Sequence, residues 1–529
     1  MSDTPDIQRD AWRRSDLATL AGVCALAGVL TALAVWFSPI VTVAACVFLL
    51  GLGAVEFMLG VGGTIIVGMM FICFLFMNRF DEGWAIPVGE VSIKASYWLM
   101  LASVTVFAGY VFGVRLRERS ATRDTGRFSR GFLWLWAGFV LVGLLAIPIN
   151  HWTDSYVPDR YLAGELLALG AVVLPITFAL WIPLSNLSRP RTLWSLRALV
   201  GLGGLAGFIM MVFGVMPDYV LGRLGWMEAI GGTTDLVRGR LPLGHPNIVA
   251  SVMLLLLPLS VIQALGGPRI WLRLFYGACA FSMFCGVLFT LSRAAVLNMG
   301  IAFSITMAYL LFARENRRVW SLLLLAGFVT ALVLAGGFLF MRHDFSRFWS
   351  RGYHEDASVG RRAASMSTAL YVWKDHPLVG VSPDAVYTRL SLRPGWTPAM
   401  EDSISPILFY RGHQTAETPH NSYLTTLAEF GVLGALCFWG LLLRAGRSLW
   451  RARGHPGIGV YERKMLTGMG IGLLSFLLAG MFEAVMMVGL RANIVFWIMV
   501  GLSLRYAFVV VEEAERREAG RAGAGPDLC

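Results

Sequence analysis

Apolar runs of about 18 or more residues recur along almost the whole chain, each long enough to cross a ~30 Å hydrocarbon core as a helix. Inside lipid no water is present to satisfy backbone polar groups, so such runs are constrained to form helices. Mean hydropathy is +0.65, and 57% of the 529 residues are hydrophobic. The sequence therefore predicts an all-α polytopic membrane protein with about 12–14 transmembrane helices. Candidate spans fall at 17–37, 39–55, 58–77, 97–114, 131–149, 161–183, 198–216, 246–265, 274–291, 295–312, 320–340, 421–442, 465–486 and 491–510. Gln8–Asp16 is basic and polar, but the apolar run after it is too long for a signal peptide and lacks a small-residue cleavage site.

The net charge of +11 is placed as an orientation signal rather than as a nucleic-acid footprint. Arg115, Arg117, Arg119, Arg123, Arg127 and Arg130 share one connector; Arg444, Arg447, Arg451, Arg453, Arg463 and Lys464 share another. With the N-terminus inside, the connectors 115–130, 184–197, 266–273, 313–319 and 443–464 all fall on the cytoplasmic side. The tail from Glu512 to Cys529 falls there too, and its charge and Gly/Ala content predict disorder.

The expected organisation is thus a membrane region over 1–340, a large external loop over 341–419, closing spans over 420–511 and a tail over 512–529. Within the loop, Ser358–Trp373 has the pattern of an amphipathic helix and His376-Pro-Leu-Val-Gly380 of a turn. Six of the seven cysteines sit inside apolar runs with no metal-ligand or redox spacing, and act as small core hydrophobes.

His420 is the leading candidate for chemistry. It lies where the external loop gives way to a span, with Thr418 as the expected N-cap and Pro419 at the first helical position. The positive end of a helix dipole disfavours imidazolium, and a neutral imidazole is what a general base needs. An interfacial histidine that caps a helix is the alternative. Arg293, in Ser292-Arg-Ala294, occupies a very short external turn, and Arg238 and Arg240 precede Gly244-His-Pro-Asn247. A guanidinium at a membrane mouth is costly without an anion to hold, and it pairs bidentately with phosphate. Snorkelling to lipid phosphate is the alternative. Arg361 and Arg362 cannot point the same way on the loop helix, so one of them is a candidate binding residue. Glu165 and Glu483 are expected to pair inside the bundle, Glu483 with Arg491. Neither a metal motif nor a Walker-type loop is present, and no soluble segment is large enough for a nucleotide-sugar domain. No metal or other cofactor and no nucleic acid is therefore expected; a donor would reach such a site already lipid-linked.

Four motifs together resemble the bacterial O-antigen ligase and O-antigen polymerase superfamily. They are His-Asn-x-x-Leu-x-x-Leu-x-Glu-x-Gly-x-x-Gly over His420–Gly434, Ser-Arg-Ala at 292–294, Gly-His-Pro-Asn at 244–247 after an arginine, and His-Pro-Leu-x-Gly at 376–380. The resemblance implies a metal-independent, inverting glycosyltransferase of the GT-C-like type in the bacterial inner membrane, its site facing the periplasm. The donor would be a glycan on undecaprenyl diphosphate, and the acceptor lipid A–core or another glycan. His420 would take the acceptor hydroxyl's proton, Arg293 would hold the diphosphate, and Arg238 or Arg240 would assist; Asn247 and Asn421 stand beside these as candidate binding residues. Leu241 and Leu243 depart from the glycine and aromatic of the family pattern. A polymerase or a protein O-oligosaccharyltransferase shares this donor and base. A lipid-linked glycan flippase is the rival from another class, opposed by the clustering of unusual charges on one side.

Overall fold

A computed structural model describes residues 123–153, 162–215, 245–312, 419–487 and 490–523 (except 186 and 291), strands at 86–88, 91–93, 227–229 and 237–239, Gly327 and part of 362–383. The spans expected at 17–37, 39–55, 58–77, 97–114 and 320–340 lie outside the described residues, as do Arg240 and Arg361. The other expected spans correspond to helices: α1 (Arg123–Thr153), α2 (Leu162–Leu184), α3 (Arg189–Val215), α4 (Pro246–Gly266), α5 (Ile270–Phe289), α6 (Arg293–Phe312), α7 (Ser422–Gly454), α8 (Val460–Ala479) and α9 (Leu490–Gly523). Among the described residues, 7 helices are long and apolar enough to cross a membrane. The chain is an all-α polytopic membrane protein. Its described β structure is two antiparallel hairpins, β1 (Ile86–Val88) with β2 (Val91–Ile93) and β3 (Met227–Ala229) with β4 (Val237–Gly239).

Helices α4, α8 and α9 form the centre. The first packs along α8 and α5; α9 packs along α2, and α7 along α1. Lipid tails are as apolar as leucine, so close packing rather than burial holds such helices together. Gly207 of α3 illustrates how. A Cβ there would overlap the Ser282 carbonyl of α5, so only glycine lets the two backbones approach this closely. Aromatic contacts fill the wider gaps, as where Phe139 of α1 stacks on Phe430 of α7 with centroids 4.4 Å apart.

Several helices run further into the basic segments than the sequence pattern indicates. Arg444, Arg447, Arg451 and Arg453 belong to α7 itself, where cations suit the carbonyl-rich C-terminus. Trp134, Trp271 and Trp450 are exposed, as interfacial aromatics are. The tail is a correction. Disorder is expected from Glu512 onward, yet α9 continues to Gly523. Glu513 pairs with Arg189 at 3.0 Å, Arg189 also pairs with Glu462, and Ala514 is buried. These contacts anchor the turn that composition alone leaves unsupported.

Helix α7 is broken at Gly431, whose φ of 62° and ψ of −170° are not helical. The break removes the bonds that Val432 and Leu433 would make to Ala428 and Glu429. Residues 377–382 restore all four groups. Val381 N–H donates to the Ala428 carbonyl (3.0 Å) and Ser382 N–H to Glu429 (3.1 Å), while Val432 and Leu433 donate to Pro377 (2.8 Å) and Leu378 (3.1 Å). Gly380, with φ of 74°, faces the break from the loop. A Cβ on Gly380 would overlap the Glu429 carbonyl, and one on Gly431 would overlap that of Leu378. The expected turn at 376–380 is present, and every described position from 362 to 375 is helical. Ala369, Val372 and Val381 of the loop pack with Ala428. At 1.5 Å per residue the joint lies roughly 15 Å along α7 from its first turn, and irregular backbone at such depth survives only when its polar groups are paired.

Candidate active site

Asn421, not Thr418, is the N-cap of α7. Its side-chain oxygen accepts from the Tyr423 and Leu424 amides at 2.9 and 3.0 Å, and its amide donates to the Met481 carbonyl at 3.1 Å. Asparagine ranks above threonine as a cap and here satisfies two orphan donors at once. Asn421 is therefore a structural residue in this geometry, and His420 stands just outside the helix, held over its end.

Glu483 lies opposite. The sequence places it inside a span covering 465–486, but α8 ends at Ala479 and Glu483 sits in the connection to α9. The first turn of α7 fixes that connection. Ser422 N–H donates to the Gly480 carbonyl (2.7 Å), Ser422 Oγ donates to the Glu483 carbonyl (3.0 Å) and accepts from Met486 N–H (3.2 Å). The same turn thus positions both partners of the pair that follows.

His420 Nδ1 is 2.7 Å from Glu483 Oε1. Asn247, in the first turn of α4, donates its side-chain N–H to Glu483 Oε2 at 2.8 Å. His245 Nδ1 is 4.0 Å from the same oxygen. Burial alone would raise the carboxyl's pKa; the hydrogen bond and charge of His420, then His245 and the Asn247 amide, outweigh it and hold Glu483 at about 2 against an ordinary 4.5. An ionised carboxylate only accepts, so His420 donates from Nδ1, and when the ring is neutral its Nε2 carries the lone pair. This is how a carboxylate orients an imidazole to act as a base.

Arg293 is the first residue of α6, and Ser292 caps that helix by accepting from Ala295 N–H at 3.2 Å. Further along α6, the Asn298 amide donates to the Ser475 carbonyl of α8 at 2.8 Å, one turn before α8 gives way to the Glu483 connection. Arg293 and Glu483 therefore share one end of the bundle, opposite the arginine-rich end. Arg238 is part of β4, its Cα in register with Glu228; Arg362 is helical and half-buried in the loop.

The structure brings His420 and Asn247 together on Glu483, with Asn421 beside them as the cap of α7. Glu483 meets His420; the side chain of Arg491, its expected partner, lies outside the described residues. An acidic residue within an apolar stretch is the signal for it; its partner is not legible because the pair is 63 positions apart. His245 is the second omission, visible in Gly-His-Pro-Asn but overshadowed there by Asn247. Among the described residues, no group of three or more His, Cys, Asp or Glu is arranged to hold a metal ion.

Replacing Glu483 with Gln is expected to lower catalytic turnover by roughly 10–100-fold, the usual cost of losing a residue that orients a reactive imidazole. It also changes acid stability. The folded pKa is below the ordinary one, so pairing stabilises the protein fully above about pH 4.5 and this is lost as pH falls towards 2. Thermal midpoints measured from pH 6 to pH 3 should fall less steeply for Glu483→Gln than for the parent; equal slopes would contradict the pairing.

No curated protein matches the chain significantly. Residues 278–439 match the family model described as O-antigen ligase. The matched segment contains Arg293, His420 and both glycines of the α7 joint, whereas His245, Asn247 and Glu483 lie outside it. Over residues 278–439 the chain is thus similar to the O-antigen ligase family, in the same region that carries three of the four motifs.

Proposed function

We propose that this O-antigen ligase-family glycosyltransferase moves a glycan from undecaprenyl diphosphate to an acceptor hydroxyl, with lipid A–core as the acceptor, at the periplasmic face of the inner membrane. The observation that carries the reading is the His420–Glu483 pair at 2.7 Å. His420 Nε2 takes the proton of the acceptor hydroxyl as its oxygen bonds to the anomeric carbon. The carbon–oxygen bond to the diphosphate breaks on the opposite face, inverting the centre, and the electron pair leaves with the diphosphate. Arg293 neutralises the charge that develops there, with Arg238 or Arg240 and Arg362 or Arg361 contacting the rest of the donor. The arginine-rich end opposite the pair supports the orientation, because basic residues stay cytoplasmic.

Cells in which the protein is inactivated by Arg293→Ala should accumulate long glycan on undecaprenyl diphosphate and lose surface polymer. Accumulation of single repeat units, or surface lipid carrying one unit, would assign the chain to polymerisation instead. Lipid A–core glycosylated as in the parent, with glycoprotein lost, would point to a protein acceptor. An unchanged profile would remove the arginine from the reaction.

A further inference from the structure

Helix α3 carries two arginines about two turns apart, and the fold treats them differently. Arg189 is balanced by two carboxylates, Glu462 and Glu513. Among the described residues no carboxylate pairs with Arg197, although Tyr461, which interacts with both arginines, is followed directly by Glu462. Around Arg197 the fold gathers aromatic residues instead. Its guanidinium overlies the Trp194 ring at 5.1 Å, and Tyr276 of α5 and Tyr461 of α8 both face it.

The polar atoms of this cluster are left unmatched. Arg197 Nε and the hydroxyls of Tyr276 and Tyr461 are buried and have no hydrogen-bond partner among the described residues. Tyr276 is 0% exposed, whereas Arg197 and Tyr461 are half-buried and can be reached. A guanidinium can only donate, and each phenol has a proton to give. What the cluster lacks is an acceptor that also carries negative charge. Arg197 lies within a membrane span, Arg189–Met211, where an ionisable residue marks a functional site by default. Snorkelling would carry the guanidinium into water, yet its Nε is buried.

The cluster stands at the arginine-rich end, because α8 starts there, directly after the basic C-terminus of α7. Its flank is apolar. The Phe275 ring lies against Gly201, about one turn along α3 from Arg197. Trp271, Leu274 and Phe275 of α5 are all exposed. An oxyanion at Arg197 therefore has open apolar surface beside it, which suits acyl chains better than a soluble anion. Basic pockets between helices at the cytoplasmic side take lipid headgroups in this way.

We propose that Arg197, Tyr276 and Tyr461 form a phosphate site at the cytoplasmic end of α3, α5 and α8, holding the headgroup phosphate of an anionic phospholipid of the inner leaflet. Arg197 supplies the charge, and the two phenols donate to the phosphate oxygens. The site lies at the opposite end of the bundle from His420 and does not depend on the transfer reading.

The test uses full-length protein in neutral detergent, titrated with phosphatidylglycerol, with phosphatidylcholine or with inorganic phosphate while the thermal midpoint is followed. Phosphatidylglycerol should raise the parent's midpoint and the other two should not. Arg197→Gln should lower the affinity for phosphatidylglycerol about 10-fold or more. Arg447→Gln, which removes an exposed arginine at the same end, should leave it within about 2-fold. Tyr276→Phe should cross over, and it reads the site even if Arg197→Gln fails to fold. In detergent alone it should melt at or above the parent, because a buried hydroxyl without a partner is gone; with phosphatidylglycerol it should melt below. Parental affinity in Arg197→Gln, an equal loss in Arg447→Gln, or no crossing in Tyr276→Phe would overturn the proposal. Equal protection by phosphatidylcholine or by inorganic phosphate would overturn the assignment to an anionic lipid.

Discussion

Gly431→Ala is expected to be among the most destabilising single-methyl additions available in this chain. The backbone at 431 occupies a region essentially reserved for glycine, with φ of 62° and ψ of −170°, which alone costs an alanine about 1–3 kcal/mol. The new Cβ would also overlap the Leu378 carbonyl, forcing apart two backbones joined by four hydrogen bonds. Losing even part of that set leaves buried groups unpaired at about 1–3 kcal/mol each. A combined loss of roughly 3–6 kcal/mol lowers the thermal midpoint by on the order of 10 °C. Gly446→Ala is the matched control: same helix and same substitution, with no atom within 4 Å of the added Cβ. It should be neutral or stabilising by up to about 1 kcal/mol. Similar melting of the two variants would contradict the joint between loop and helix.

His420→Ala is expected to lower glycan transfer by about 10³-fold or more, near the upper end of what a general base contributes. The fold should survive, though at a lower thermal midpoint, because the buried Glu483 carboxylate loses a partner. His420 precedes the N-cap, and the bonds that start α7 come from Asn421 and Ser422. The rate of transfer and the thermal midpoint, measured on the same preparation, separate chemistry from structure. A rate within a few fold of the parent would remove His420 from the reaction.

Much of the architecture was legible because lipid permits so few solutions. The spans that became α4, α5 and α6 were located to within a few residues from apolar run length alone. Where helices continued past the membrane, that logic failed. The extension of α9 depends on Glu513 meeting Arg189, a pair 324 positions apart, and no local pattern encodes it. The turn at 376–380 was likewise readable from Pro and Gly, but its fit to the break at Gly431 was not, since backbone hydrogen bonds between distant segments leave no periodicity. The same division runs through the site. His420 announced itself by position, Asn247 and Asn421 by motif. Glu483 stands out as an acidic residue in an apolar stretch, but its contact with His420, 63 positions away, leaves no local pattern.

This loop joint and the site share one element. The first turns of α7 carry the His420 support at one end and the break at the other, so the 377–382 segment and His420 are placed by the same short stretch of helix. Changes in the loop at Gly380 are therefore expected to reach transfer through the position of His420.

The central claim is that a glycan leaves undecaprenyl diphosphate at this site. It is tested most directly with the purified protein in proteoliposomes, supplied with undecaprenyl diphosphate-linked glycan and lipid A–core acceptor and no nucleotide. The account predicts glycosylated acceptor and released undecaprenyl diphosphate in equal amounts, with neither formed by His420→Ala. Acceptor left unmodified while the lipid-linked glycan merely changes leaflet, or equal product from the parent and His420→Ala, would contradict it.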